Sequence, residues 1–160
     1  MRRLNIGSGH VRLPGYERLD VDQEARPDHY CRAEDVGDYF DEESFDEIRA
    51  AHVLEHIRPS DLFGTLRGIW KALKPNGILE VVVPDVGAAT HDWCAGMIDD
   101  DKLVKTILGG DPDATEWMVH RNIFWTDRLG RWLTITGFVR LEVEDASTYE
   151  LKMTCRRPGE

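Results

Sequence analysis

The stretch Leu4–Gly9, Leu-Asn-Ile-Gly-Ser-Gly, constrains this chain more than any other. A short apolar run ends in two glycines one residue apart. That pattern is a buried strand running into a tight turn. Gly7 is free to take a positive φ there, and Gly9 lets the backbone come close to a ligand. A strand that ends this way is a common start for a nucleotide-type cofactor site. The third glycine of the dinucleotide fingerprint would fall at position 12, where Arg12 stands instead. Taken alone, the stretch therefore also reads as an ordinary glycine turn.

At 160 residues the chain is long enough for one domain with a sizeable core. Hydrophobic residues make up 41% and charged residues 31%, the balance of a globular protein in water. No apolar run approaches a membrane span, and the first residues lack the long apolar region of a signal peptide. Cys31, Cys94 and Cys155 are scattered and form no Cys-x-x-Cys pair, which suits reduced thiols. A cytoplasmic protein without membrane attachment is expected. The formal net charge of −10 disfavours unspecific binding to a phosphate backbone, although a local basic groove would still admit nucleic acid. The acidic clusters Asp41–Glu43 and Asp99–Asp101 read as solvated faces.

Strands alternate with helices along the chain, and two strands close it. The first strand covers Arg3–Ile6, and 15–22 reads as a second strand ending in acids. Only His10–Gly15 separates Gly9 from Tyr16, whereas a parallel crossover normally needs about 10–12 residues. The first crossover helix is therefore expected to be one turn or missing. A short strand near His29–Arg32 and an acidic loop come next. Phe45–Ala50 then reads as a fourth strand running into His52-Val53-Leu54-Glu55-His56. Pro59-Ser60-Asp61 marks a capped helix start, and Leu62, Leu66, Ile69, Trp70 and Leu73 recur at helical spacing. Lys71 and Lys74 suit that helix's C-terminal end. Lys74-Pro75-Asn76-Gly77 is a stop-and-turn signal, and Ile78–Val83 a β-branched buried strand.

The pattern loosens from Pro84 to Trp125, with a helix expected near Asp100–Leu108 and a turn at Gly109-Gly110-Asp111-Pro112. A helix from Thr126 to Gly137 bears Leu129, Trp132 and Leu133, and Phe138–Val143 and Tyr149–Cys155 are spaced to pair antiparallel. The expected fold is α/β: a three-layer Rossmann-like sandwich with a mostly parallel seven-stranded sheet and an antiparallel C-terminal strand. Residues 1–160 would form a single domain, with 85–125 inserted as a substrate cover.

Four landmarks in order carry a family resemblance. They are Leu4–Gly9, Leu19-Asp20, the run from Ser44 through His56, and Leu73–Leu79; the Thr136-Gly137-Phe138 turn fits as well. With these, the chain resembles a class I S-adenosylmethionine-dependent methyltransferase. Within that family it is similar to the small methyltransferase-type-11-like group whose fourth strand ends in His-Val-Leu-Glu-His.

The resemblance implies S-adenosylmethionine as cofactor and a role for each matching residue. The Gly7-Ser8-Gly9 turn would pass close to the methionine part. Asp20 would accept hydrogen bonds from both ribose hydroxyls, as an acceptor-only, two-oxygen group can; Asp22 is the second candidate. Arg32-Ala33-Glu34-Asp35 stands where similar proteins often carry Asp-Ala-Glu-Asp. Arg32 has no acceptor for the adenine amino group. It would stack on the ring or leave the contact to Glu34, with the backbone of Ala33 at the ring edge.

His52 would lie beside the methyl group, where it would orient a nucleophile or take its proton, the alternative being that it merely lines the cofactor pocket. His56 would cap or pack a short helix. Asp85, Glu55 and His120 are candidates for substrate contact, with His120 the second catalytic candidate; for Asp85 a loop cap and for Glu55 a solvated helix position are the alternatives. Trp93, Trp117, Arg121 and Trp125 would belong to the cover, its aromatics packing a small core of their own. The acceptor is unidentified: a small molecule, glycan or nucleobase. Activity through a homodimer is a further expectation.

Two other classes compete. His52–His56 also matches His-x-x-Glu-His, a zinc-hydrolase pattern that needs the whole stretch to be helical and a third ligand such as Glu116 or Glu142. A cofactor-binding protein without catalysis is suggested by the missing helix and by Arg32. On the methyltransferase reading no metal ligand is assigned.

Overall fold

A computed structural model describes residues 1–110, 118–147 and 149–159. Trp117, Glu116 and the Asp111-Pro112 part of the expected turn lie outside the described residues. The strands are β1 (Arg3–Ile6), β2 (Tyr16–Asp20), β3 (His29–Tyr30), β4 (Phe45–Ala51), β5 (Leu73–Pro84), β6 (Val139–Ser147) and β7 (Glu150–Arg156). The helices are α1 (Val36–Tyr39), α2 (Leu62–Ala72), α3 (Val86–Cys94), α4 (Asp100–Leu108) and α5 (Thr126–Thr136).

The seven strands form one sheet in the order β3-β2-β1-β4-β5-β7-β6. The first five are parallel, and β7 runs antiparallel between β5 and β6. The α/β class and the mostly parallel order agree with the sequence reading. No helix joins β1 to β2, as their short connection requires.

Strand register divides the sheet into two unlike faces, because residues side by side on neighbouring strands point the same way. Leu4, Ile48, Leu79 and Cys155 form one row, and Ile6, Ala50, Val81 and Met153 the next. All eight are buried, and they share a core with Leu62, Leu66 and Ile69 of α2 and Leu129 and Leu133 of α5. The opposite face is polar across its middle. Arg3 pairs with Glu47 at 3.1 Å and Arg49 with Glu80 at 2.7 Å, and Lys152 bridges Glu80 and Glu144 at 3.1 and 3.2 Å. The Tyr16 hydroxyl donates to Glu47, and together with burial this pushes its pKa up to about 12. The three-layer arrangement is thus uneven. One outer layer is a continuous helical pack. The other is slight over the first strands, since the β1–β2 connection has no helix and the β2–β3 connection holds one 3₁₀ turn, Gln23–Ala25.

Three local expectations change. Asp61 stands at the start of α2, but its side chain makes no cap; Thr65 N donates to its carbonyl oxygen and Ser60 Oγ to its Oδ1. The Lys74–Gly77 turn is absorbed into β5 as a bulge: Leu73 pairs with Phe45 and Ile78 with Glu47. The last carbonyls of α2 are met by Arg157, whose Nη1 lies 3.2 Å from Lys71 O and 2.6 Å from Leu73 O, rather than by the two lysines. The loosely patterned stretch after Pro84 contains α3, which the sequence hides because only Val86 and Ala89 of that helix are buried.

Arg18, 5% exposed, ties the 3₁₀ turn to β2: its guanidinium donates to the carbonyls of Ala25 and Arg26 and lies 3.8 Å from Asp28. Arg18→Met should leave those carbonyls without a donor and lower unfolding stability by about 2–3 kcal/mol. Urea titration of the two proteins measures it, and an unchanged midpoint would contradict this role.

Candidate functional site

The parallel strands β1, β2 and β4 deliver their C-terminal ends to one edge of the sheet, where open α/β sheets bind ligands. Gly7 and Gly9 both have positive φ, +62° and +47°. Their reasons differ. A Cβ on Gly7 would sit 2.4 Å from Val53 Cγ2, whereas one on Gly9 would meet nothing within 4 Å. Gly7 is thus fixed by packing, and Gly9 leaves open space. Ser8 is buried and its N–H donates to Leu19 O, so it contributes backbone to the turn.

Asp20 holds this turn. Its Oδ2 accepts from Gly9 N at 2.6 Å and its Oδ1 from Asp22 N at 2.9 Å. Each carboxylate oxygen can accept a second bond, so the group retains capacity toward a ligand. Asp22 caps the next 3₁₀ turn by accepting from Glu24 N. A cleft of ≈ 720 Å³ opens in front of these groups. Gly7, Gly9, Asp20, Asp22, the Arg32–Glu34 segment, His52 and His56 line it. Arg32 pairs with Glu34 at 2.8 Å, and Ala33 is buried beside them. Tyr30, Cys31, Ile57, Met118 and Arg121 also line the cleft. Of these, only Arg121 is a candidate from sequence, because apolar wall positions carry no chemical signature.

His52 directly follows β4 with φ +55°, a conformation uncommon outside glycine and found at functional sites. Its N–H donates to Val82 O, which fixes the turn. The imidazole lies between two acids: Nε2 is 3.0 Å from Glu150 Oε1 and Nδ1 is 3.3 Å from Glu55 Oε1. These carboxylates, Glu55 foremost, raise its pKa above the usual imidazole value despite burial. A raised pKa favours the imidazolium, which orients groups but accepts no proton.

Glu55 is 1% exposed, which rules out the solvated-helix alternative. Beyond the His52 contact at Oε1, its carboxylate has no hydrogen-bond partner among the described residues. Its carbonyl oxygen accepts from Arg121 N and Asn122 N, at 2.7 and 2.9 Å, and so fastens that loop to the turn Leu54–His56. His120 is thereby brought beside His56, ring centroids 5.1 Å apart and edge to face. Burial lowers the His120 pKa. Asp85 is drawn elsewhere: its side chain caps α3 by accepting from Ala88 N at 3.0 Å, and it does not line the cleft. Trp93 and Trp125 are 42% and 41% exposed rather than packed into a core of their own.

The helical His-x-x-Glu-His expected of a zinc hydrolase does not form. His52 directly follows β4, which ends at Ala51, and only Leu54–His56 is a 3₁₀ turn. His52 and His56 therefore share no helix face, and Glu142 lies out on β6.

The acids around His52 have a measurable consequence. Its NMR titration midpoint should lie above about 6.5, the free imidazole value, and Glu150→Gln should bring it down. With the folded pKa raised, the His52 contribution to stability is full below the unfolded pKa and fades as pH rises through the folded one. A midpoint at or below the free value would overturn this assignment.

Residues 17–81 match the family model of a methyltransferase domain. No curated protein matches the chain. Solved structures similar to it include an S-adenosylmethionine-dependent methyltransferase from Archaeoglobus fulgidus, with TM-score 0.70, 12% identity, and coverage of 97% of this chain and 85% of that one. The 1,6-didemethyltoxoflavin-N1-methyltransferase of Burkholderia thailandensis, solved with S-adenosylhomocysteine, aligns with TM-score 0.60 and 18% identity over 98% of this chain and 71% of that one. A protein described as a possible exported protein from Bordetella parapertussis aligns with TM-score 0.69 and 18% identity over 98% of this chain. This chain spans 62% of the Bordetella protein's length. Residues 17–81 are thus similar to a methyltransferase domain, and the sheet has the fold of these solved S-adenosylmethionine-dependent methyltransferases.

Proposed function

We propose that this chain binds S-adenosylmethionine in the cleft and transfers its methyl group to an acceptor. The observation that carries the reading is the space before Gly9, where a Cβ would meet no protein atom, with the Asp20 carboxylate at its side. The residues present fit the group. Gly9 offers close backbone approach, Asp20 offers acceptors to a vicinal diol, and the buried Ala33 offers an apolar rest for a purine. The cofactor, when bound, supplies an electrophilic methyl on a sulfonium centre. The chain's part is to hold, orient and exclude water.

His52 stands at the cleft end of β4 and would orient the acceptor, becoming a proton acceptor only as pH rises past its raised pKa. Arg32, tied to Glu34, would flank the base rather than accept from it. Residues 85–125 would cover the acceptor side, since Met118 and Arg121 line the cleft from that segment. The acceptor class stays as broad as small molecules, glycans and nucleobases, and a homodimer would complete the cover.

Calorimetry with S-adenosylmethionine and S-adenosylhomocysteine tests the reading. Binding at micromolar levels is expected, and no heat with either would sink it. Asp20→Asn should weaken binding by about 10- to 100-fold, in line with roughly 1.5–3 kcal/mol per charge-assisted bond. Gly9→Ala should weaken binding while costing the fold only the strain of its φ, about 1–2 kcal/mol. Gly7→Ala should destabilise the fold more, because its Cβ collides with Val53. Equal melting losses for the two glycine variants would show that Gly9 is not a ligand-facing position.

A further inference from the structure

The geometry points to a divalent-cation site made by Glu55, His56 and His120 on the acceptor side of the cleft. Each of the three offers one ligand atom, and these atoms all lie within 4.8 Å of one another. The residues come from two places in the chain, the turn at the end of β4 and the loop before α5, which the bonds from Arg121 N and Asn122 N to Glu55 O hold together.

Two features separate this cluster from ordinary packing. Glu55 is 1% exposed; its Oε1 lies 3.3 Å from His52 Nδ1, and its Oε2 has no hydrogen-bond partner among the described residues. A buried carboxylate left so is costly, and a cation in contact would offset that cost. Each histidine has its Nδ1 against a backbone carbonyl, His56 on Val119 O at 3.1 Å and His120 on Thr106 O at 3.2 Å. A carbonyl only accepts, so Nδ1 must carry the proton and Nε2 must carry the lone pair. This is the outer-sphere arrangement of metal-bound histidines.

Two imidazoles and one carboxylate suit a borderline first-row ion, zinc first, and leave further coordination positions open. Tetrahedral bonds of about 2.1 Å would bring ligand atoms to roughly 3.4 Å from one another, so the cluster has to close only slightly. His56 lines the cleft, so an open position there faces the acceptor. We assign to it an acceptor oxygen or nitrogen, whose pKa the ion would lower. That last role rests on the methyltransferase reading; the cation site itself does not.

The test uses the full chain after chelation. Zn²⁺ titration by calorimetry and the visible d–d absorption of added Co²⁺ should show one equivalent bound at micromolar levels or tighter. Glu55→Gln and His120→Ala should each lower Co²⁺ affinity at least tenfold, with S-adenosylhomocysteine affinity retained as the measure of folding. If either variant fails to fold, X-ray absorption on the Co²⁺ form of the unchanged protein decides: two imidazoles in the coordination shell support the site, and none overturns it. Absence of a Co²⁺ spectrum while S-adenosylhomocysteine still binds also overturns it. Metal binding without any S-adenosylhomocysteine binding supports the site and removes only the acceptor role.

Discussion

The Asp20 carboxylate is the pin on which the cleft edge of this structure depends. The β1–β2 connection has no helix to brace it, so the glycine turn cannot be positioned by packing against a helical layer. The carboxylate does that work by accepting Gly9 N on one oxygen and Asp22 N on the other. One buried side chain thus fixes the turn after β1, the exit from β2 and the mouth of the cleft. It can still accept further bonds, so the same charge serves the scaffold and borders the cleft.

That economy has a counterpart on the polar face of the sheet. With short crossovers, the rows containing Arg3, Glu47, Arg49, Glu80 and Lys152 cannot be covered by a helix built from the β1–β2 connection. They carry matched charges instead of apolar side chains. Each such pair is worth little in stability. Its effect is to make a half-covered face compatible with water.

The sequence made the backbone plan legible because that plan is written in periodicity and turn chemistry. Leu4–Gly9, the short gap to Tyr16 and the β-branched run at Ile78–Val83 each have few structural solutions. The site was less legible. Asp20 is readable as an acid at a strand end, but its two backbone bonds depend on a turn that closes in space. Glu55 looks like a solvated helix residue until the loop at Arg121 and Asn122 covers it. Asp85 carries the same side chain as Asp20, yet a free helix end nearby claims it. Arg18 is invisible for the same reason: its partners are carbonyls, and carbonyls belong to every residue.

The position of β7 sets an order of events for the growing chain. This strand lies between β5 and β6, so β6 has no sheet to join until the residues after Tyr149 have been made. Arg157 then reaches back to the carbonyls at the end of α2. The links between early and late segments span much of the sequence, a topology that slows folding. On the ribosome, β1 to β5 can associate as they emerge, but β5 keeps an open edge until β7 has been made. Closure of the sheet therefore waits for β7, and the interval before it is when the chain most needs protection from edge-to-edge association.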